Sequence, residues 1–191
     1  MTDQKQIQTL PPLEELKPST PLSPRTGEPT RPVVAWIGAG AAYLAVACVM
    51  GVYALHWWQA AHPDSYAGSA RLIQWVAPDP GKWLSLTLEG VLAAASVLAA
   101  GAVGVAGFQA WNGWKWSRWA GLIGLVLMGG YAAVTSNWAF VAVGLALVTA
   151  VVAFLPPMRR YFERWSKVRA ERPAGYRRPA WIFYGRLPRF R

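Results

Sequence analysis

The sequence predicts an all-α integral membrane protein: four transmembrane helices, a disordered Pro-rich N-terminal tail and a basic amphipathic C-terminal tail. Three observations carry this prediction. First, the twenty-seven residues between Trp83 and Trp111 contain no Pro, Lys or Arg and one charge, Glu89. At ~1.5 Å per residue they make about 40 Å of helix, more than the ~30 Å hydrocarbon core of a bilayer. Second, three further apolar runs, each bounded by Trp or Pro, lie at 33–58, 119–135 and 138–155. Third, the charge is gathered outside these runs, and eleven of the nineteen Lys and Arg residues follow Leu155.

Residues 1–32 hold seven prolines, four acidic and four basic residues, and few large apolar ones. Such a segment buries too little surface to offset its ordering entropy, so disorder is expected. Its acids and prolines do not fit the n-region of a signal peptide, and the apolar run after it is too long for an h-region. The membrane domain is assigned to 33–156 and the C-terminal region to 157–191. The first span, about 33–58, has Trp36 at one end and Trp57 and Trp58 at the other, where indoles favour the headgroup level. Gly38, Ala42, Ala45 and Gly51 suit it to close packing. In the following loop, Ser69 to Val76 reads as a short interfacial helix with Leu72, Ile73, Trp75 and Val76 on its apolar side. Pro78-Asp79-Pro80-Gly81 turns the chain into the second span, about 84–110.

Small residues occupy nearly every face of that second span, as expected for a helix within a bundle. Trp111, Trp114, Trp116 and Trp119, with Lys115 and Arg118, mark a tight loop pinned at an interface. The last two spans are joined only by Ser136-Asn137 and must form an antiparallel hairpin, which Pro156-Pro157 ends. Beyond it, Tyr161, Phe162, Trp165 and Val168 recur at helical spacing among basic residues, the pattern of a helix lying against anionic headgroups. The residues from Tyr176 to Arg191 mix five arginines with many aromatics, unlike an ordinary disordered tail. Arg159, Arg160, Arg164, Arg177, Arg178, Trp181 and Arg186 are the candidate contacts to lipid or to a partner.

The second loop carries Lys115 and Arg118, the third carries no Lys or Arg, and the C-terminal region carries eleven. The positive-inside rule therefore places both termini and the second loop in the cytoplasm. Arg outnumbers Lys fourteen to five, and Ala, Gly, Trp and Pro are common, a composition associated with high-GC bacteria. The expected location is the bacterial inner membrane. Because the net charge of +10 flanks membrane spans, it is a topology and lipid signal, and no nucleic-acid partner is expected.

Glu89 is the one ionisable residue well inside a span, about 9 Å below the interface by helical rise. An intramembrane acid is a functional candidate by default. Its structural alternative is protonation, or a hydrogen bond to the Tyr53–His56 end of the first span. Glu89 and His56 are thus the candidate intramembrane polar site. One cysteine, Cys48, excludes an internal disulfide and CxxC chemistry. Two histidines, one of them in a loop, do not make a bis-His haem site or a three-ligand metal site. The sequence contains no Gly-x-Ser-x-Gly elbow, P-loop or HExxH motif. No cofactor, metal or catalytic residue is therefore expected.

These readings point to a non-catalytic accessory or assembly subunit of a larger inner-membrane complex, with other integral membrane subunits and anionic lipids as partners. The respiratory or cell-envelope type is an analogy of size alone. The alternative is a small oligomeric transporter or channel using Glu89. The spacings Gly101/Gly104/Gly107 and Gly121/Gly124 serve helix packing, against this chain's own helices or against another's.

Overall fold

The computed structural model describes residue 23 and residues 28–171, and among these it is all-helical, with no strand. The elements are α1 (Val33–Ala60), α2 (Pro63–Tyr66), α3 (Arg71–Val76), α4 (Trp83–Trp111), α5 (Ser117–Val134), α6 (Ala139–Phe154) and α7 (Pro156–Glu171). Helices α1, α4 and α5 are each long and apolar enough to cross a bilayer. Helix α6 has sixteen residues and meets α7 at a bend of 62°, so the candidate spans number three, or four if that bent pair is one span.

The four long helices form a ring in which α1 packs on α4 and α6, while α5 packs on the same two from the other side. Consecutive members are antiparallel, because each connection returns the chain from the end it has just reached. One end of the bundle, the loop end, carries α2, α3 and the α5–α6 turn. The other, the tail end, carries the α4–α5 turn and α7.

Small side chains let these helices approach. Ala42, Ala45, Ala99, Ala132, Ala139 and Ala142 are fully buried, and Met128 and Tyr131 are the bulky side chains filled in between them. Inward glycines sit at the crossings. A Cβ on Gly107 would lie 2.4 Å from Ala42 Cβ, and one on Gly124 would lie 3.0 Å from Val103 Cγ2. Gly38 brings its carbonyl within 3.3 Å of the Thr149 hydroxyl, which donates to it across the α1–α6 contact. Among the glycines singled out by spacing, Gly104, Gly107, Gly121 and Gly124 therefore face this chain's own helices, whereas Gly101 meets nothing within 4 Å.

Gly107→Ala is expected to lower stability by about 1–3 kcal/mol through overpacking at the α1–α4 crossing. Pairing it with Ala42→Gly moves the methyl group across the contact and should restore most of that loss. Thermal unfolding in detergent reads both, and an unrescued double variant would refute this account of the crossing.

Large apolar side chains such as Leu44, Met50, Val97, Ile123, Val126 and Val141 point outward and are exposed. In water that surface would be untenable, and in a bilayer it is the lipid-facing belt. Exposed Trp57, Trp58, Trp75, Trp83 and Trp138 lie at the loop end, with exposed Trp36, Trp114, Trp116 and Trp119 at the tail end, so the indoles form two girdles.

The fold shows what covers the apolar faces of the two expected surface helices. The segment at Ser69 to Val76 is the six-residue α3, which packs on the loop end of the bundle. Ile73 is fully buried with Tyr66, Ala70 and Leu92, while Trp75 and Val76 stay exposed. Arg71 ties it down. Its backbone N–H donates to the Thr135 carbonyl at 2.9 Å, and its guanidinium donates to the Ala132 carbonyl at 2.9 Å and to Asn137. Those carbonyls end α5, where a cation is favourable.

Likewise, the aromatic face of α7 is spent on the protein rather than on headgroups. Met158, Tyr161, Phe162 and Trp165 are buried against Ala35 and Val152, and Val34 and Ala110 pack alongside. The bend that allows this arises at Leu155, which is extended (ψ 148) ahead of Pro156, the first residue of α7. The Tyr161 hydroxyl donates to the Trp111 carbonyl at 2.7 Å, and burial raises its pKa above the ordinary phenol value, so it remains a donor.

Candidate functional site

At the loop end, α1 and α4 place a histidine and a carboxylate together. His56 lies in the last turns of α1 and Glu89 in the second turn of α4. The antiparallel pairing of the two helices puts these positions at one level. His56 Nε2 is 2.7 Å from Glu89 Oε2, and the two side chains are 2% and 17% exposed. His56 Nδ1 is 3.2 Å from the Ser69 carbonyl, in the turn before α3.

This geometry sets the proton count. A carbonyl oxygen can only accept, so Nδ1 carries a proton and donates it. Nε2 and Oε2 then meet across one further proton, carried as imidazolium facing carboxylate or as imidazole facing carboxylic acid. Either arrangement is neutral overall, which is what a site in a low-dielectric surrounding requires. The structure thus brings the two sequence-selected residues into direct contact. Tyr53 packs its ring 6.0 Å from that of His56.

The second carboxylate oxygen is different. Glu89 Oε1 is buried and makes no hydrogen bond within the described residues, and the same holds for the Tyr66 hydroxyl and the Ser69 hydroxyl. Glu89 and Tyr66 both line a cavity of about 200 Å³ with Trp57, Ala60, Ser85 and Leu86. A second cavity of about 350 Å³, lined by Ile73, Gln74 and Pro78, shares Tyr66 and Pro80 with the first. Ser85 is not a free group here, since its hydroxyl donates to the Lys82 carbonyl at 2.8 Å. Among the described residues, no three His, Cys, Asp or Glu side chains gather into a metal-binding group.

The basic candidates divide by position. Arg159 and Arg160 are exposed on α7, and Arg164 is half-buried. Arg177, Arg178, Trp181 and Arg186 lie outside the described residues. Two arginines that sequence reasoning left unassigned have defined places. Arg71 binds the end of α5. Arg169 donates to the Gly113 carbonyl at 3.1 Å and to that of Asn112, and its guanidinium lies 4.1 Å from the Trp114 ring centre and 4.7 Å from that of Trp165. Nothing in its sequence neighbourhood marks Arg169, because its partners are backbone oxygens more than fifty residues away.

Comparison with known proteins adds no relative to this description: no family model, no curated protein and no solved structure matches the chain.

Proposed function

We propose that this chain is a non-catalytic accessory or assembly subunit of a larger bacterial inner-membrane complex, spanning the membrane four times with both termini cytoplasmic. The observation that carries the reading is a set of glycines with no packing role among the described residues. Gly40, Gly51, Gly90, Gly101, Gly130 and Gly144 are exposed, and a Cβ on any of them would meet nothing within 4 Å. A helical glycine costs about 0.8–1 kcal/mol relative to alanine, so an outward glycine is most simply explained by a second helix that must come close.

Gly40 and Gly51 are eleven residues apart on α1, as are Gly90 and Gly101 on α4. Eleven residues make about three turns, so each pair marks a single helix face. Gly101 also lies in an outward groove of about 380 Å³ between α4 and α5, with Val97 and Val105 on one side and Ala120, Ile123 and Leu127 on the other. Short α6 completes the fourth span with Trp138 and Leu155 at its edges. On α7, Arg159, Arg160 and Lys167 are exposed, which fits contact with anionic headgroups on the cytoplasmic side.

The transporter reading receives less support. Glu89 is engaged by His56 near one end, and the buried hydrophobic cluster between the four helices is built of Ala, Val, Met and Tyr. Affinity purification from the native membrane in mild detergent, followed by mass spectrometry, tests the choice. A stoichiometric set of other membrane subunits is expected, and Gly101→Leu should deplete it at least several-fold without lowering the chain's own yield. Recovery of the chain alone or as a homo-oligomer would overturn the accessory reading.

A further inference from the structure

We infer that the elbow where α7 folds against the start of α5 is a binding site for the phosphate group of an anionic phospholipid. The inference rests on the proposed contact of α7 with headgroups and deepens it from a charged surface to a built site. Arg118, the second residue of α5, is half-buried there, with its guanidinium 4.9 Å from the centre of the Phe162 ring. It makes no hydrogen bond or ion pair among the described residues. Its Nε is buried, while its terminal amines keep access to the surface. Glu28 is already held by Arg31 at 2.6 Å, and Glu163, exposed on α7, has no cation on it among the described residues. A guanidinium stays charged and carries five donors, so one half-buried against a ring calls for an anion from outside the chain.

Helix α7 sets a second cation beside the first. Its buried face is Met158, Tyr161, Phe162, Trp165 and Val168. At 3.6 residues per turn, Phe162 closes one edge of that face, and exposed Arg159 lies about 60° further round, beyond that edge. Arg160 projects from the opposite side of the helix, about 160° from Phe162. Arg118 and Arg159 therefore flank one edge of α7, and Arg160 does not.

The side toward the bilayer is apolar. Trp119, next to Arg118, is exposed and meets Phe154 edge-on at 6.3 Å between ring centres, and Leu155 is exposed at the bend. Trp119 belongs to the tail-end girdle, at the level of the headgroups. A phosphodiester at this place accepts from both guanidinium groups, while its acyl chains run past Trp119 and Phe154. That hydrocarbon rim favours a lipid over a free phosphate ion. A lipid of net negative charge is favoured over a zwitterionic one, which would bring its own cation up to two arginines.

The test uses the purified full chain in neutral detergent, titrated with phosphatidylglycerol and read by native mass spectrometry, which counts the lipids bound. One phosphatidylglycerol is expected to bind ahead of any other, with phosphatidylcholine about fivefold weaker or more. Arg118→Gln and Arg159→Gln should each weaken binding about fivefold, the scale for one cation at a headgroup. Arg159 is exposed and has no side-chain partner among the described residues, so its variant reports on the site even if Arg118→Gln loosens α7. Wild-type affinity in Arg159→Gln would overturn the proposal. Arg160→Gln removes the same charge from the far side of α7 and should leave the affinity unchanged. An equal loss there, with phosphatidylglycerol still preferred, would make α7 a diffuse basic surface and overturn the site alone. Equal binding of phosphatidylcholine would overturn the headgroup reading with it. Inorganic phosphate should leave the lipid in place, and displacement at equal concentration would assign the site to a free anion instead.

Discussion

Gly113→Ala is expected to unseat α7 from the tail end of the bundle. Gly113 turns the chain between α4 and α5 with φ +71°, a conformation that costs a residue with a side chain about 1–2 kcal/mol. It also leaves no room: an added Cβ would stand 2.0 Å from Trp165 Cδ1 and 2.3 Å from Cγ. The flat indole lies directly on the glycine, and its position is shared by Arg169, which grips the same turn. Moving the ring adds about 1–3 kcal/mol of overpacking, so the total falls near 2–5 kcal/mol.

The measurement is thermal unfolding in detergent with limited trypsin digestion, since Arg164, half-buried while α7 is docked, becomes cleavable once the helix lifts. Trp165→Ala also weakens docking, but adding Gly113→Ala to it should cost less than Gly113→Ala does alone, because the overlap is gone. Wild-type protection of α7 in Gly113→Ala would mean that the Trp165 contact does not hold the helix.

His56→Leu carries the second large effect. It strips Glu89 of its one hydrogen-bonding partner among the described residues and leaves both carboxylate oxygens unpaired beside the end of α1. Removing one member of a buried pair costs about 3–5 kcal/mol, because the other remains as an uncompensated charge or an unsatisfied acid. Glu89→Leu should cost less, about 1–3 kcal/mol, because a neutral imidazole keeps its Nδ1 bond to Ser69 and loses one contact at Nε2.

The double variant His56→Leu/Glu89→Leu replaces the pair by hydrocarbon and should stand close to wild type, as apolar substitutes for buried pairs commonly do. Unfolding by denaturing detergent in mixed micelles reads the cycle. Strict additivity of the two losses would show that the residues do not act as a pair, whatever their distance.

These two sites differ in how far the sequence foretold them. Glu89 was conspicuous as a lone charge in a long apolar run, and helical rise alone set it level with the end of the first span. Its contact with His56 was open to sequence reasoning because an antiparallel hairpin leaves few residues at that depth. The Gly113–Trp165 contact had no such warning. The two residues are more than fifty positions apart, and Trp165 belongs to a periodic aromatic face that an interfacial helix would carry equally well. Periodicity says that a face is buried and says nothing of what covers it. For that reason α3 and α7 were both placed on the membrane surface, and both are folded onto the ends of the bundle.

What the sequence by itself determined is the class of the protein and the rhythm of its helices. Long uncharged runs, Trp at their ends and Pro at their breaks are local signals, and backbone hydrogen bonding in a bilayer leaves helices as the form such runs can take. Only the tertiary structure decided which glycines face inward, where Arg71 and Arg169 anchor, and which carboxylate oxygen of Glu89 His56 engages. Each of these depends on the rotation of one helix against another, and in runs apolar on every side no hydrophobic stripe exists to announce that rotation. It is set instead by where small residues allow two backbones to meet, as at Gly107 against Ala42, and that is a property of pairs of helices.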